Sequence, residues 1–202
     1  MVDRRIMRAD RAVGWGRVAF VTGALLCTML VTARAASDDP RIARIRAWFA
    51  ATEKSLPRNR VVRRDLAEFS AQGAVLTAYF AGDSLRKLNG NFYVEGGRTT
   101  DDFYVQNDSV YFVSHIVGKY SLSMDGRLIH RVQYRMYYDH DTLIKWIDTT
   151  GKDLSPKGAA ADSEAKHDLR MTRILIDCAK IEGPEQSCLA PSKDSTKAVP
   201  AK

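Results

Sequence analysis

The sequence lacks the features by which most enzyme and metal-protein classes are recognised. Its three cysteines and four histidines stand at no spacing typical of a zinc site. It has no glycine-rich loop that could cradle a phosphate and no nucleophile elbow. These absences exclude the common nucleotide-binding, zinc-binding and α/β-hydrolase classes, and we expect no cofactor.

A long apolar run is also missing. The longest uncharged stretch is residues 18–33, which is short of the roughly 20 residues that cross a bilayer as a helix. Five arginines precede it and Ala33-Arg34-Ala35 follows it, as in a secretory signal. We therefore predict a signal peptide over residues 1–35 and a periplasmic or secreted mature protein with no stable membrane anchor. The alternatives are a retained anchor, a twin-arginine signal at Arg4-Arg5 and a lipidated Cys27, and each fits the pattern less well.

The charge left after cleavage is small. The chain carries a formal charge of +7, of which residues 1–35 contribute +4, so the mature charge is +3. Nucleic-acid-binding domains usually have a pI above about 9 and a clustered basic patch, and we expect no nucleic-acid partner.

Basic residues are concentrated in residues 39–64, where the net charge is +6. This segment includes a candidate binding strip for an envelope protein or an anionic envelope component: Arg58, Arg60, Arg63 and Arg64. A solvated helix face followed by a charged edge strand would explain the same residues.

Cleavage of the signal would leave two cysteines, Cys178 and Cys188. In an exported chain two cysteines are readily paired, and the loop between them contains the turn signal Gly183-Pro184. We predict a disulfide that ties the end of a helix to the tail that follows. Two free thiols, with Cys178 simply buried, are the alternative.

The remaining pattern predicts an α+β fold with one domain over residues 36–181. Asp39-Pro40 opens a helix that should stop before Leu56-Pro57. Residues 60–148 read as six or seven short strands that follow each other through tight turns, so they should form an antiparallel meander. A second helix begins after Asp162-Ser163, and the helices at either end should cover the sheet. Residues 182–202 read as a disordered tail.

Three segments repeat one hairpin unit, in which an aromatic pair precedes a polar turn and then an apolar run. The units are residues 79–88, 103–113 and 137–146. They resemble an uncharacterised group of bacterial secreted proteins that have a signal peptide, a leading helix and tandem aromatic β-hairpins. The resemblance covers residues 60–148 and implies the fold and export, but no activity.

Candidate catalytic residues are few. Asp139-His140-Asp141 could ligate a divalent metal, but its place between Tyr138 and Leu143 predicts a hairpin turn. His115 and His130 have no adjacent carboxylate to orient them. The exposed face of the sheet, on which tyrosine and arginine alternate, offers a second candidate surface, because these residues favour interfaces.

From these observations we expect an exported binding or interaction module that acts through a face of the sheet or through the basic strip. The alternative is a cell-envelope hydrolase with a site assembled from dispersed residues such as His115, His130 and Asp139.

Overall fold

Eight consecutive antiparallel strands and two long helices make up the fold. A computed structural model of the chain describes residues 39–121, 127–181 and 188–189. The helices are α1 (Pro40–Ser55) and α2 (Ala159–Lys180), and a short 3-10 helix, Leu56–Arg58, follows α1. The strands are β1 (Arg60–Ala67), β2 (Ala74–Ala81), β3 (Ser84–Val94), β4 (Gly97–Gln106), β5 (Ser109–Tyr120), β6 (Leu128–Asp139), β7 (Thr142–Ile147), β8 (Asp153–Leu154) and β9 (Cys188–Leu189).

The strands from β1 to β8 pair in the order in which they occur in the chain. The predicted antiparallel meander in an α+β fold is therefore confirmed. The predicted count of six or seven strands was too low. One missed strand, β8, has only two residues and so shows no alternation of side chains. The other, β9, joins the outer edge of β1 as a parallel strand.

Two predicted segments lie largely outside the described residues. The signal peptide, residues 1–35, is one of them. The other is the tail of residues 182–202, of which only Cys188 and Leu189 are described, and these two residues form β9. All described residues belong to one compact unit, Ser37–Lys202. No helix within the described ranges is long and apolar enough to cross a membrane.

The two helices cover opposite faces of the sheet, because each packs against a different cluster of buried residues. The predicted limits of α1 are confirmed: the Asp39 carboxylate accepts a hydrogen bond from the Arg41 backbone at 2.9 Å, and Pro40 is the first helical residue. The predicted start of α2 was wrong. The helix begins at Ala159 after Gly158, whose φ of 102° suits glycine.

The three repeated segments form three hairpins with short turns at residues 82–83, 107–108 and 140–141. In the second and third hairpins both turn residues have positive φ, as the tightest hairpin turns require. The predicted turn at Asp139-His140-Asp141 is therefore confirmed. Its His140 side chain is 92% exposed.

Each of the three hairpins contains a β-bulge at the same place, three positions after the turn. The pairing slips so that one residue of the second strand has no cross-strand partner. Two consecutive residues then oppose one residue of the first strand. The extra residues are Arg86, Tyr111 and Ile144.

The middle bulge gives α1 its docking surface. Tyr111 and Phe112 are neighbours in sequence, yet both are buried in the cluster that packs against α1. The Phe49 ring contacts Tyr104 and Phe112, with centroids 4.9 and 5.2 Å apart. The bulge thus explains why β5 is apolar on both faces, as the sequence of residues 109–116 shows.

The larger core lies between the sheet and α2. It is built from strand residues that alternate with those facing α1, and from one side of α2. Leu76, Leu88, Phe103, Met136 and Leu175 in it are at most 1% exposed.

Cys178 and Cys188 lie at disulfide distance, with Cα atoms 5.6 Å apart. Cys178 is in α2 and Cys188 is in β9, which pairs with Leu66 and Ala67 at the end of β1. The pair therefore connects the end of α2 to the edge of the sheet.

Removal of this bridge should lower stability. A loop of about ten residues gives roughly 2–3 kcal/mol in the chain-entropy account, so we expect the free energy of unfolding of the oxidised protein to fall by that amount on reduction. Urea unfolding with and without reductant measures it. The Cys178→Ala/Cys188→Ala variant is the control, because reductant should not affect it. If the urea midpoint of the wild-type protein is the same with and without reductant, no bridge forms.

Candidate functional site

A cavity of about 590 Å³ lies between the sheet and α2, and we call it the α2 cavity. Cavities of about 300–1,000 Å³ are the size that holds small-molecule ligands. Much of its wall is apolar. Phe69 follows β1, Phe92 and Val94 belong to β3, and Met171 and Ile174 belong to α2.

The polar groups of the α2 cavity come from the middle of the sheet and from α2. Asp101 of β4 and His115 of β5 are directly opposite in register, so both side chains point towards α2. His167 and Arg170 of α2 line the cavity and are exposed to solvent. The buried end of the cavity is therefore polar, and the wall between it and the exposed residues is apolar.

A glycine shapes the wall of the cavity. Gly90 of β3 is the cross-strand partner of Asp101, and a Cβ atom at this position would lie 2.8 Å from Cε2 of the Phe92 ring. Only the missing side chain lets the ring lie over the strand at this point. Phe92 consequently lies beside the acidic end of the cavity without filling it.

Asp101 and His115 make a close buried contact. His115 Nδ1 lies 2.6 Å from Asp101 Oδ1, and the Asp101 side chain is 8% exposed. Asp101 Oδ1 is thus held in a short ion pair with the imidazole. A carboxylate oxygen has more than one lone pair, so a buried carboxylate can also accept a hydrogen bond from a ligand.

The environment of His115 favours its protonated form. Burial lowers the pKa of His115, but the Asp101 carboxylate, with Glu164 and Asp168 farther away, outweighs burial and raises it. The Tyr134 ring stacks beside the imidazole, with centroids 6.4 Å apart. When His115 is protonated, it forms an ion pair with the Asp101 carboxylate at the end of the cavity.

A second buried acid stands nearby on α2. Asp168 is 3% exposed, and its Oδ2 accepts a hydrogen bond from the Tyr138 hydroxyl at 2.6 Å. Burial raises the pKa of Asp168 to about 7; the Tyr138 hydrogen bond and His115 oppose this rise, whereas Glu164 and Asp101 add to it. Asp168 therefore titrates near neutral pH.

The predicted basic strip does not form one surface. The Arg60 guanidinium lies over the Phe80 ring at 4.4 Å, and Arg64 Nη2 donates to the Ile181 carbonyl at the end of α2 at 2.7 Å. Arg63 alternates with these two along β1 and points to the opposite face. Arg58 is exposed in the 3-10 helix. The strip therefore divides between two faces of the sheet.

The structure also separates the three residues of the hydrolase hypothesis. His130 is exposed near the start of β6, four residues from the Tyr134 partner of His115. Asp139 lies at the opposite end of β6 from His130. Its carboxylate accepts a hydrogen bond from Arg44 Nη2 of α1 at 2.8 Å, which helps to hold α1 on the sheet. No group of three potential metal ligands occurs within the described ranges.

Sequence reasoning missed Asp101 and Asp168, because their partners are distant along the chain. A signal for Asp101 was present: it alternates with Phe103, so it occupies a core-facing position of a strand. Asp168 likewise precedes Thr172 and Leu175 at helical spacing on the buried side of α2. A charged residue at a core-facing position is unusual unless it is paired.

Comparison of the chain with protein-family models, curated proteins and solved structures found no match. The resemblance to secreted hairpin proteins therefore stays a prediction, and function has to be inferred from the geometry of the site.

The raised pKa of Asp168 predicts a pH-dependent stability. Between about pH 4 and pH 7 the folded state keeps a proton that the unfolded state releases, so stability falls as pH rises through this range. Asp168→Asn cannot ionise. Since one pKa unit corresponds to about 1.4 kcal/mol, we expect the wild-type protein to lose at least about 1 kcal/mol more than this variant between pH 5 and pH 8.

Urea unfolding at the two pH values measures this difference. Asp177→Asn, on the exposed side of α2, is the matched control and should follow the wild-type protein. Parallel pH profiles for the wild-type protein and Asp168→Asn would contradict the assignment.

Proposed function

We propose that the protein is a binding module whose α2 cavity holds a small amphipathic ligand. One observation carries the proposal: an apolar-walled cavity of about 590 Å³ ends on the buried Asp101 carboxylate and its short ion pair with His115. Phe69, Phe92 and Met171 would enclose the apolar body of the ligand. Asp101 would accept a hydrogen bond from its head group.

The surrounding charges favour one class of head group. Asp101, Asp168 and Glu164 all raise the pKa of His115, so acidic groups outnumber basic ones around the imidazole. The other basic side chains that line the cavity, His167 and Arg170, lie at its exposed rim. A carboxylate head would be repelled there, whereas a hydroxyl or an ammonium group can donate to Asp101. We therefore infer a long-chain alcohol or amine as the ligand class.

We further propose that the protein binds this ligand outside the cytoplasm, in the periplasm or after secretion. The basic and apolar leader with its Ala33-Arg34-Ala35 site supports export. The disulfide distance between Cys178 and Cys188 supports an oxidising compartment.

The hydrolase alternative gains one supporting observation. His115, which has no orienting carboxylate in the sequence near it, faces Asp101 across two strands inside the cavity. An imidazole oriented by a carboxylate can act as a general base towards water once it is neutral, so this activity would require a pH above the raised pKa of His115. The Ser70 hydroxyl lines the same cavity but donates to the Tyr93 backbone carbonyl, so it is not held as a nucleophile.

Displacement of the fluorescent apolar probe N-phenyl-1-naphthylamine tests the binding proposal. We expect decanol and decylamine to displace the probe at lower concentration than decanoate. Asp101→Asn removes the charge and should weaken decylamine about tenfold, because a charge-assisted hydrogen bond contributes about 1.5–3 kcal/mol, while it strengthens decanoate. Asp83→Asn, in the exposed β2–β3 turn, should leave all three unchanged.

Failure of all three compounds to displace the probe, or an unchanged order in Asp101→Asn, would overturn the proposal. Turnover of p-nitrophenyl decanoate decides the alternative, with exposed His130 as the control position. If the protein hydrolyses this ester, and His115→Ala abolishes the activity whereas His130→Ala preserves it, the hydrolase hypothesis would replace the binding proposal.

The wall geometry gives a second prediction for the same site. In Gly90→Ala the new methyl group must displace the Phe92 ring, because a contact of 2.8 Å is too short. We expect the ring to move into the cavity and to weaken decanol binding. Gly90→Ala/Phe92→Ala removes the ring and should recover part of this loss. Full binding by Gly90→Ala alone would show that Phe92 does not border the ligand.

A further inference from the structure

α1 covers only part of its side of the sheet. Its apolar contacts lie near the hairpin turns of β4–β7. Beyond them, β4, β5 and β6 present three cross-strand rows that alternate with the residues facing α2, and no other described helix lies on that side. We call these nine residues the polar face: Arg98, Gly118 and Arg131; Thr100, Ile116 and Gln133; Asp102, Ser114 and Arg135.

Hydrogen bonds between strands hold the polar face and its border in one arrangement. Asn89 Nδ2 donates to Asp102 Oδ1 at 2.7 Å, and Asn91 Nδ2 donates to Asn89 Oδ1 at 2.6 Å. On the other side, Gln133 Nε2 donates to Ser114 Oγ at 3.0 Å. These side chains are thus ordered before a ligand arrives, which reduces the entropy lost on binding.

The charge of the polar face is positive. Its one acid, Asp102, already accepts from Asn89 and lies 3.4 Å from Lys87 Nζ. The arginines of the first row stand on either side of Gly118, and Arg135 closes the third row. Arg98 and Arg135 have no ion pair among the described residues, and Arg131 contacts only the neutral Gln133.

Arg63 extends this arrangement towards the edge of the sheet. It pairs with Thr77, which pairs with Asn89, which pairs with Asp102. One row of side chains therefore runs from Arg63 across five further strands to Arg135. The face offers arginines at both ends and amides and hydroxyls between them.

We propose that the polar face binds an acidic polysaccharide. Arginine forks bind carboxylates through two parallel hydrogen bonds, and the amides and hydroxyls between them suit sugar hydroxyls. A protein partner would require a cluster of apolar or aromatic anchors. Exposed Tyr93 and Leu128 stand only along the first row, beside Arg98 and Gly118, whereas in the second and third rows Ile116 is the one large apolar residue. Single-stranded nucleic acid would require a succession of aromatic rings on which bases stack, and here Tyr93 and Tyr120 flank the first row alone.

Binding of polygalacturonate, measured by biolayer interferometry at low and physiological salt, tests the proposal. Arg98→Glu/Arg131→Glu should weaken binding about tenfold or more, because two charge-assisted contacts are lost. Lys166→Glu/Arg173→Glu changes the net charge equally at exposed positions of α2, on the opposite side of the sheet, and should stay within about twofold of the wild-type protein. Circular dichroism would show that both variants are folded.

Several results would overturn the proposal. Polygalacturonate that does not bind, or neutral dextran that binds equally well, would do so. Equal losses in the two double variants would do so as well. So would single-stranded DNA that binds as tightly as polygalacturonate and is weakened equally by Arg98→Glu/Arg131→Glu. The polar face lies opposite the α2 cavity, so probe displacement by decanol should be unchanged in Arg98→Glu/Arg131→Glu. Either proposal can therefore fail without the other.

Discussion

In each of the three repeated hairpins, the second strand carries one residue more than its partner. This extra residue decides which side chains face α1. At the middle hairpin it turns Tyr111 and Phe112 to the same side, where Phe49 packs on them. Without the bulge, strict alternation would send one of these rings into the α2 side, and α1 would lose much of its contact surface.

The two faces of the sheet deal with polar groups in different ways. On the α1 side, Asn89 donates a hydrogen bond to Asp102, and Gln133 donates one to Ser114. On the α2 side, Asp101 and Asp168 are buried in a region that is otherwise apolar. Burial of an acid costs free energy unless it is paired or protonated, and apolar residues at these positions would pack as well. Acids at such positions are characteristic of sites that bind a ligand.

The sequence was sufficient to predict the parts of the fold that depend on local signals. Asp39-Pro40 marked the start of α1, and the turn at residues 140–141 followed from its residue types. The residues of the α2 cavity were not predictable in the same way. Asp101 meets His115 only because β4 and β5 pair in one particular register, and Asp168 meets Tyr138 only when α2 docks. Such contacts depend on tertiary packing, which the pattern of a single segment does not contain.

The uninterrupted strand order has a consequence for assembly. Each strand from β1 to β8 finds its partner in the segment just made, so the sheet can grow hairpin by hairpin with short loop closures. α1, although first in the chain, packs on rings of β4 and β5 and pairs with Asp139 at the end of β6. Its aromatic side therefore stays uncovered until the sixth strand is in place.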